Sequence, residues 1–178
     1  SSLVNDPFLR NAYQDHFDLG SGAILYYTTN PESKPKVPHF YSRFQFDIAG
    51  NMLSAFKPLM NRSENGQGMI WNTPFSQFVR GELTLSKTWF LGKQSKQSIA
   101  TRLQAGAGYA YGNSTSLPFE KHFYAGGSNS LRGWQARTVG PGLAPTDTSF
   151  VIPNQTGDMK LEANIEYRFD MFWKVAGA

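Results

Sequence analysis

The chain has 178 residues, a formal net charge of +4, 17% charged residues, 15% aromatic residues and no cysteine. This composition excludes a disordered segment, a disulfide scaffold and a cysteine-ligated metal site. No run of about 18 apolar residues is present, so no transmembrane helix is predicted, whereas a β-barrel membrane protein, which shows only alternating polarity in each strand, stays compatible.

Strand patterns follow one another along the whole chain, and no segment has a convincing helical period. A weak strand pattern covers about 16–29. Apolar and polar residues then alternate with period two through 38–50, 76–91, 97–112 and 158–169. A sixth strand is predicted to begin near Phe172. The fold class is therefore all-β.

The connections between these segments alternate in length. Short turns separate some strands, while long loops cover about 51–75 and 113–157. Short turns on one side and long loops on the other are typical of outer-membrane barrels, whose long loops are extracellular. The chain begins without Met and ends inside an apolar run, so we expect residues 1–178 to be part of a larger barrel domain.

The alternation assigns two faces to the predicted strands. One set of apolar side chains is expected to contact lipid: Leu83, Leu85, Leu103, Leu161 and Ile165. The opposite, polar set is expected to face the lumen of the barrel: Arg80, Glu82, Arg102, Glu162 and Glu166. The alternative is a soluble β-sandwich, in which the apolar face would lie inside.

Residues that carry chemistry form no catalytic or metal-binding pattern. The histidines His16, His39 and His122 lack metal-ligand spacing and are interpreted as isolated loop or interfacial residues. Glu162 and Glu166 lie on the same face of the predicted strand, two positions apart on that face and beside basic residues. This arrangement favours a charge-paired wall over an acid–base pair. No enzyme activity, metal or cofactor is therefore predicted. The basic residues are dispersed, so no nucleic-acid partner is expected.

Glycines at 106, 108 and 112 lie on the polar side of the 97–112 strand. Bare backbone at these positions is compatible with two explanations, the close approach of another part of the molecule and an ordinary strand twist or bulge.

The segment 117–142 contains the most specific pattern in the chain. Its sequence is similar to the sixth extracellular loop of the BamA/TamA superfamily of outer-membrane assembly barrels, F-x-x-G-G-x-x-S-x-R-G-[FYW] followed by G-P. The matching residues are Phe123, Gly126, Gly127, Ser130, Arg132, Gly133, Trp134, Gly140 and Pro141. The runs 74–80, 108–113 and 157–164 resemble the Bacteroidetes-type members, including the TamL-like branch.

The resemblance implies a transmembrane antiparallel barrel of sixteen strands preceded by periplasmic POTRA domains. Residues 97–112 would be strand eleven and 158–169 strand twelve, so the chain would run from about strand eight to the start of strand thirteen. The POTRA domains and the first and last strands of the barrel are then expected to be absent from residues 1–178.

The function implied by the resemblance is the insertion of client β-barrels, or their assisted translocation, through a lateral gate. The loop would fold into the lumen, where Arg132 would pair with Glu166, or more weakly with Glu162. Gly133 would allow a tight turn, and Trp134 would pack on the wall. Implied partners are outer-membrane lipid and lipopolysaccharide, unfolded outer-membrane protein clients, and periplasmic or lipoprotein accessory subunits such as a TamB-like protein.

Other functions stay open at this point. A two-partner-secretion transporter of the same superfamily would export its client, and a passive porin-type channel would conduct ions without needing the 113–157 loop. A soluble sugar-binding β-sandwich would not need a membrane.

Overall fold

The computed structural model describes residues 15–30, 37–63, 66–71, 73–92, 96–140, 156–170 and 176–177. The protein is all-β and is built on one six-stranded sheet, whose strands pair in the order in which they follow one another along the chain. The strands of this sheet are β1 (Gly20–Thr28), β2 (His39–Ala49), β6 (Phe78–Leu91), β7 (Gln97–Ala110), β8 (Met159–Asp170) and β9 (Ala176–Gly177).

The strands predicted from alternation are confirmed, with ends that differ by a few residues. The sixth predicted strand falls partly on 171–175, which lie outside the described residues. Beyond them, β9 pairs antiparallel with the end of β8, where Ala176 and Gly177 face Asp170 and Phe169.

The first long loop has secondary structure that the sequence did not predict. It contains the short helix α1 (Asn51–Ala55), a 3-10 turn at Lys57–Leu59, and a small sheet of β3 (Asn61–Arg62), β4 (Gly68–Ile70) and β5 (Thr73–Pro74) in the order β3-β4-β5. The expectation that no segment is helical is therefore wrong for this one turn. A helix of five residues is too short to show a period in the sequence.

The second long loop is held near its base. It carries a 3-10 turn at Phe119–Lys121 and an antiparallel bridge between Phe123 and Gly157. Residues 141–155 of this loop lie outside the described residues. In the described part of the chain, no helix has the length and apolar character needed to cross a membrane.

The chain divides into two compact units. The loop unit comprises Ser1–Gly22, Phe46–Gly81 and Ala107–Lys160, and the strand unit comprises Ala23–Gln45, Glu82–Gly106 and Leu161–Ala178.

The loop unit has an apolar core of conventional kind. Ala49, Phe78 and Leu117 form a buried cluster, and the side chains of Phe75 and Phe123 are buried as well. These residues come from β2, from the start of β6 and from both long loops. The core therefore attaches the loops to the ends of the strands.

The strand unit shows the opposite polarity. On β8, Leu161 and Ile165 are 79% and 80% exposed, whereas Glu162 between them is 8% exposed. On β7, Leu103 is exposed and its neighbours Arg102 and Gln104 are half-buried. An apolar face turned outward and a polar face turned inward is the arrangement of a lipid-facing sheet.

The predicted faces are confirmed for these residues. Leu103, Leu161 and Ile165 lie on an exposed face, while Leu83 and Leu85 are half-buried. A soluble sandwich would bury these five leucine and isoleucine side chains in its core. The core formed by the described residues contains none of them.

Polar side chains on the inner face bond to one another across strands. Arg102 donates through Nη2 to Glu162 Oε1 at 2.9 Å and to Asn164 Oδ1 at 3.1 Å. Gln104 Nε2 donates to Glu82 Oε1 at 2.9 Å. The prediction of a charge-paired wall is thereby confirmed.

Candidate functional site

The loop motif, residues 123–141, begins at a fixed point. The N–H of Phe123 donates to the carbonyl of Gly157 at 2.8 Å, and the N–H of Gly157 donates back at 2.9 Å. The Phe123 side chain is 4% exposed, and the guanidinium carbon of Arg80 lies 4.3 Å from the centroid of its ring. The point where the loop leaves and returns is therefore closed by backbone bonds on one side and by a cation–π contact on the other.

Arg80 connects three parts of the loop unit. From its place on β6, its Nε donates to the carbonyl of Lys121 at 3.1 Å, and its Nη1 lies 3.4 Å from Asp47 Oδ2 on β2. The Arg80 side chain is only 15% exposed. A mostly buried guanidinium needs both an acidic partner and acceptors for its donors, and Asp47 and the Lys121 carbonyl supply them.

The motif folds back on itself as a hairpin-shaped loop, in which the ascending limb 124–127 bonds to the descending limb 134–137, and its paired glycines allow the two limbs to approach. Gly126 and Gly127 have φ angles of 96° and 91°. A Cβ on Gly126 would run into the carbonyl oxygen of Gln135. The N–H of Gly127 donates to the carbonyl of Trp134 at 2.8 Å. Glycine is therefore required here both for the backbone conformation and for the close approach of the two limbs.

The tip of the hairpin presents its side chains to the outside. Ser130 lies at its start, where its N–H donates to the carbonyl of Gly127 at 3.2 Å and its Oγ accepts from the N–H of Gly126 at 3.3 Å. Arg132, Gly133 and Trp134 are all exposed, and Gly133 has a φ of 87°. The positive φ agrees with the predicted tight turn at Gly133.

The end of the motif is described only in part. Gly140 is exposed, and Pro141 lies outside the described residues.

The two acids proposed as partners of Arg132 belong to the strand unit, where each bonds to an arginine. Glu166 accepts two hydrogen bonds from Arg168, each of 3.0 Å, and Glu162 accepts one from Arg102. In the loop unit the Arg132 side chain is exposed. Pairing of Arg132 with Glu166 or Glu162, and packing of Trp134 on the wall, stay predictions.

Arg137 is the other arginine of the motif segment, and it is held in place. Its guanidinium carbon lies 4.3 Å from the ring centroid of Phe119 and 4.9 Å from that of Tyr124. Its N–H donates to the carbonyl of Ala125 at 3.0 Å, and its φ is 65°, which is rare for a residue with a side chain. Arg137 therefore fixes the descending limb against the ascending one.

Asn113 joins the two long loops. Its 2% exposed side chain accepts from the N–H of Gly68 at 2.7 Å and donates to the carbonyls of Gly68 and Phe75 at 3.1 and 2.9 Å. Its N–H donates to Gln77 Oε1 at 3.0 Å, and its carbonyl accepts from Gln67 Nε2 at 3.0 Å. One buried amide thus satisfies several backbone groups of the 61–75 segment.

The prediction that glycines of the 97–112 segment make room for another segment is confirmed at two positions, Gly108 on β7 and Gly112 just beyond its end. A Cβ on Gly108 would lie 2.7 Å from Leu117 Cδ1. Gly112 has a φ of 63°, and a Cβ there would collide with Gln77 Oε1. Leu117 belongs to the 113–157 loop, so Gly108 does accommodate that loop.

Two of the three histidines contact acidic residues, so their interpretation as isolated residues is wrong. His16 Nε2 lies 3.0 Å from Glu120 Oε1 and 3.9 Å from Asp18 Oδ2. Burial raises the pKa of the Glu120 carboxyl, but hydrogen bonds from its own backbone and from His16 outweigh burial, so the pKa lies below its ordinary value. The ligand atoms of these three residues lie within 4.8 Å of one another, and the hydrogen bond between His16 and Glu120 joins two chain segments.

His122 lies deeper in the loop unit. Its Nδ1 is 3.1 Å from Thr156 Oγ1, and its Nε2 is 3.5 Å from Asp158 Oδ1. Burial lowers the pKa of the His122 imidazole, and the Asp158 carboxylate offsets that effect only in part.

The sequence pattern did not identify Arg80, Arg137 and Asn113 as site residues. Arg80 and Asn113 lie in runs that resemble the family, and that resemblance is the signal that could have marked them. The contact of Arg137 with Phe119 and Tyr124 depends on the folded hairpin and has no local sequence pattern.

Comparison with known proteins gives two matches. The model of the Omp85 superfamily domain matches residues 60–177. The outer membrane protein assembly factor BamA of Neisseria meningitidis serogroup B is 31% identical over 68 residues, which is 38% of this chain and 8% of the relative. The chain thus matches a small part of that relative's length. No solved structure matches.

Proposed function

We propose, from the premise that this chain belongs to the Omp85 superfamily, that it acts in the insertion or translocation of outer-membrane proteins. The observation that carries the proposal is the range of the family match, 60–177, which includes the loop motif and strand β8 together. The similarity to a BamA protein supports the assembly of outer-membrane proteins over export.

The polarity of the strand unit supports the location in a membrane. Apolar side chains on β7 and β8 are exposed, and their acidic and basic neighbours bond to one another. Exposed leucine and isoleucine in alternation are favourable in lipid, where the interior of a barrel stays polar. This polarity supports our proposal that the protein lies in the bacterial outer membrane, in contact with lipid and lipopolysaccharide.

The mechanism we propose is not catalytic. Backbone groups at an open strand edge are costly in lipid, so an edge exposed at a lateral gate would pair with an incoming client strand. The loop motif would hold the barrel from inside while the gate opens. Unfolded outer-membrane proteins are the proposed clients, with periplasmic or lipoprotein accessory subunits, including a TamB-like protein, as proposed partners. A role in the TamL-like branch is the narrower form of this proposal.

The proposed latch is the pairing of Arg132 with Glu166, with Glu162 as the second candidate. The hairpin presents Arg132 at its tip, next to the turn at Gly133. Because Glu166 already accepts bonds from Arg168, Arg132 would share that carboxylate with Arg168 or displace it. A carboxylate has lone pairs for both arginines.

Client folding in proteoliposomes tests the function. Vesicles that hold the intact protein should fold a urea-unfolded outer-membrane β-barrel faster than empty vesicles, measured as the heat-modifiable band on gels. Equal rates would contradict an assembly function. Ion conductance that persists without the 113–157 loop would instead favour a porin, and export of a secreted client would favour a two-partner-secretion transporter.

A double-mutant cycle in the same vesicles tests the latch. Arg132→Ala and Glu166→Gln should each slow client folding, and the double variant should be little worse than either, with a coupling energy of roughly 0.5–3 kcal/mol. Arg62→Ala, which removes an exposed arginine from the other long loop, is the matched control and should have no effect. Strict additivity of the two losses would contradict the latch while leaving the assembly function intact.

A further inference from the structure

One arginine lies at the tip of the loop motif and another, from β6, contacts its root, and the two have different surroundings. At its tip, Arg132 is exposed, whereas at its root the Arg80 side chain is 15% exposed and lies against Phe123. A contact that is removed from water is stronger than the same contact at the surface. The root is therefore the better-anchored end in this structure.

We infer that Arg80 is the positioning residue of the loop motif and clamps its root through the ring of Phe123. The clamp would hold the root in place whether or not the tip is engaged with the wall. Only the purpose of the clamp rests on the proposed function. That purpose is to keep the root of the loop in position while the tip leaves the wall and docks again.

The geometry of the guanidinium explains why an arginine is needed. Its central carbon lies over the Phe123 ring, 4.3 Å from the centroid, while its Nε donates to the carbonyl of Lys121, two residues earlier. The two contacts therefore grip the chain on both sides of residue 122. Lysine has a point charge on a flexible stem and cannot make the ring contact and the directed bond together.

Asp47 completes the clamp from a neighbouring strand. Its Oδ2 lies 3.4 Å from Arg80 Nη1 and supplies the negative charge that a mostly buried arginine requires. The backbone bridge between Phe123 and Gly157 fixes the returning limb at the same residue. The clamp thus joins β2, β6 and both limbs of the loop at one point.

Phe123, the first aromatic residue of the motif, provides the ring surface that Arg80 contacts. A ring face at position 123 binds a cation, which an aliphatic side chain of similar volume cannot do. Phe123→Tyr should keep the clamp and Phe123→Leu should lose it.

Hydrogen–deuterium exchange on the intact protein in lipid nanodiscs tests the clamp. In Arg80→Lys and in Phe123→Leu, protection of the amides in 121–126 and 156–158 should fall by about tenfold. The double variant should lose no more than Arg80→Lys alone, because Arg80→Lys disrupts the ring contact together with the bond to Lys121, whereas Phe123→Leu removes the ring contact only. Protection in 97–106 of the strand unit should not change, which separates a local clamp from general destabilisation.

Matched controls define the contact. Arg43→Lys changes an arginine of the strand unit that donates to Gln45 at 2.7 Å, and it should leave protection of the loop root unchanged, as should Phe123→Tyr. If Arg80→Lys unfolds β6, protection will fall in the whole sheet, and Phe123→Leu, which lies outside the long strands, then decides the question.

Three results would overturn the clamp. Full protection in Phe123→Leu would exclude the ring, and equal loss in Phe123→Tyr and Phe123→Leu would exclude the cation–π contact. Additive losses in the double variant would show that the two residues act separately. Exchange does not depend on client folding, so a wild-type protein that folds no client would refute the proposed function and leave the clamp to be judged on its own.

Discussion

The loop unit buries both hydrophobic and polar side chains, whereas the described residues of the strand unit bury only polar ones. In the described part of the chain, the buried hydrophobic residues Ala49, Phe75, Phe78, Leu117 and Phe123 all belong to the loop unit. Among its described residues, the strand unit buries Thr88, Ser98 and Glu162, all of them polar. The same chain therefore follows the rule of water-soluble cores in one unit and reverses it in the other.

The proposed location in the outer membrane explains this difference, because two solvents would then act on the chain. In water, apolar side chains are driven inward, as Leu117 is. In hydrocarbon an exposed leucine costs nothing, while an unpaired polar group is expensive, so the polar side chains collect inside and bond to one another. Arg102 and Glu162 are such a pair. We expect substitutions of one residue type to have different consequences in the two units.

The largest expected difference is between two leucines. Leu117→Ala should lower the free energy of unfolding by about 2–5 kcal/mol, because it leaves a cavity in a closed core. Leu161→Ala should cost about 2 kcal/mol or less, since lipid fills the space and only the transfer free energy of the lost methyl groups remains. Chemical denaturation in lipid vesicles measures both.

The enlarged side chain provides the control for this pair. Leu117→Phe should overpack the core at a cost of about 1–3 kcal/mol, and Leu161→Phe should be nearly neutral. Equal costs at the two positions would mean that Leu161 is packed against protein.

A charge on the outward face tests the second solvent directly. Leu161→Arg should destabilise the protein in vesicles by about 2–4 kcal/mol if this position lies near the middle of the bilayer. Lys160→Arg, one residue earlier on the opposite face, should stay within about 0.5 kcal/mol. A Leu161→Arg protein that is as stable as the wild type would show that Leu161 faces water.

The smallest expected effect is a pH dependence confined to the loop unit. Burial lowers the pKa of His122 below its ordinary value of about 6.5 despite Asp158, with Arg137 adding to the lowering and Glu120 opposing it. The unfolded state therefore binds the proton more readily than the folded state. The contribution of His122 to stability should be fully present above about pH 7. It should be lost as the pH drops through 6.5 towards the pKa of His122 in the folded state.

Thermal unfolding between pH 8 and pH 5 measures this effect, with His122→Gln as the variant and His39→Gln as the control. The His122 variant should show a shallower loss of stability at low pH than the wild type. A wild-type slope in His122→Gln would assign the pH dependence to other groups.

Strand positions were predictable because alternation is local. In 158–169, each apolar residue is followed by a polar one, and β8 occupies Met159–Asp170 with faces as predicted. Apolar and polar sets that differ so clearly leave one orientation for each strand. Alternation alone does not show which face is exposed. The exposure of Leu161 shows that the apolar face is the exposed one.

The interior of the loops was not predictable in the same way. Helix α1 and the β3-β4-β5 sheet have five residues or fewer per element, so no period can be recognised. Their stability depends on partners far along the chain, as Gly68 depends on Asn113. Arg80 and Phe123 likewise meet only in the folded protein. The motif glycines were recognised by resemblance, and the structure adds the reason, which is the close approach of Gly126 to Gln135.

The amide of Asn113 also determines how β7 is aligned along β6. A slip of one residue would turn the side chains of β7 to the wrong faces, but a slip of two residues would restore both faces, so alternation alone cannot reject it. In the native alignment the N–H of Tyr111 donates to the carbonyl of Gln77 at 3.0 Å, which brings Asn113 to Gly68 and Phe75. A two-residue slip would break all of these bonds and leave buried backbone groups unpaired. Asn113 thus selects one alignment of β7 on β6 among those that place the apolar and polar side chains on the correct faces.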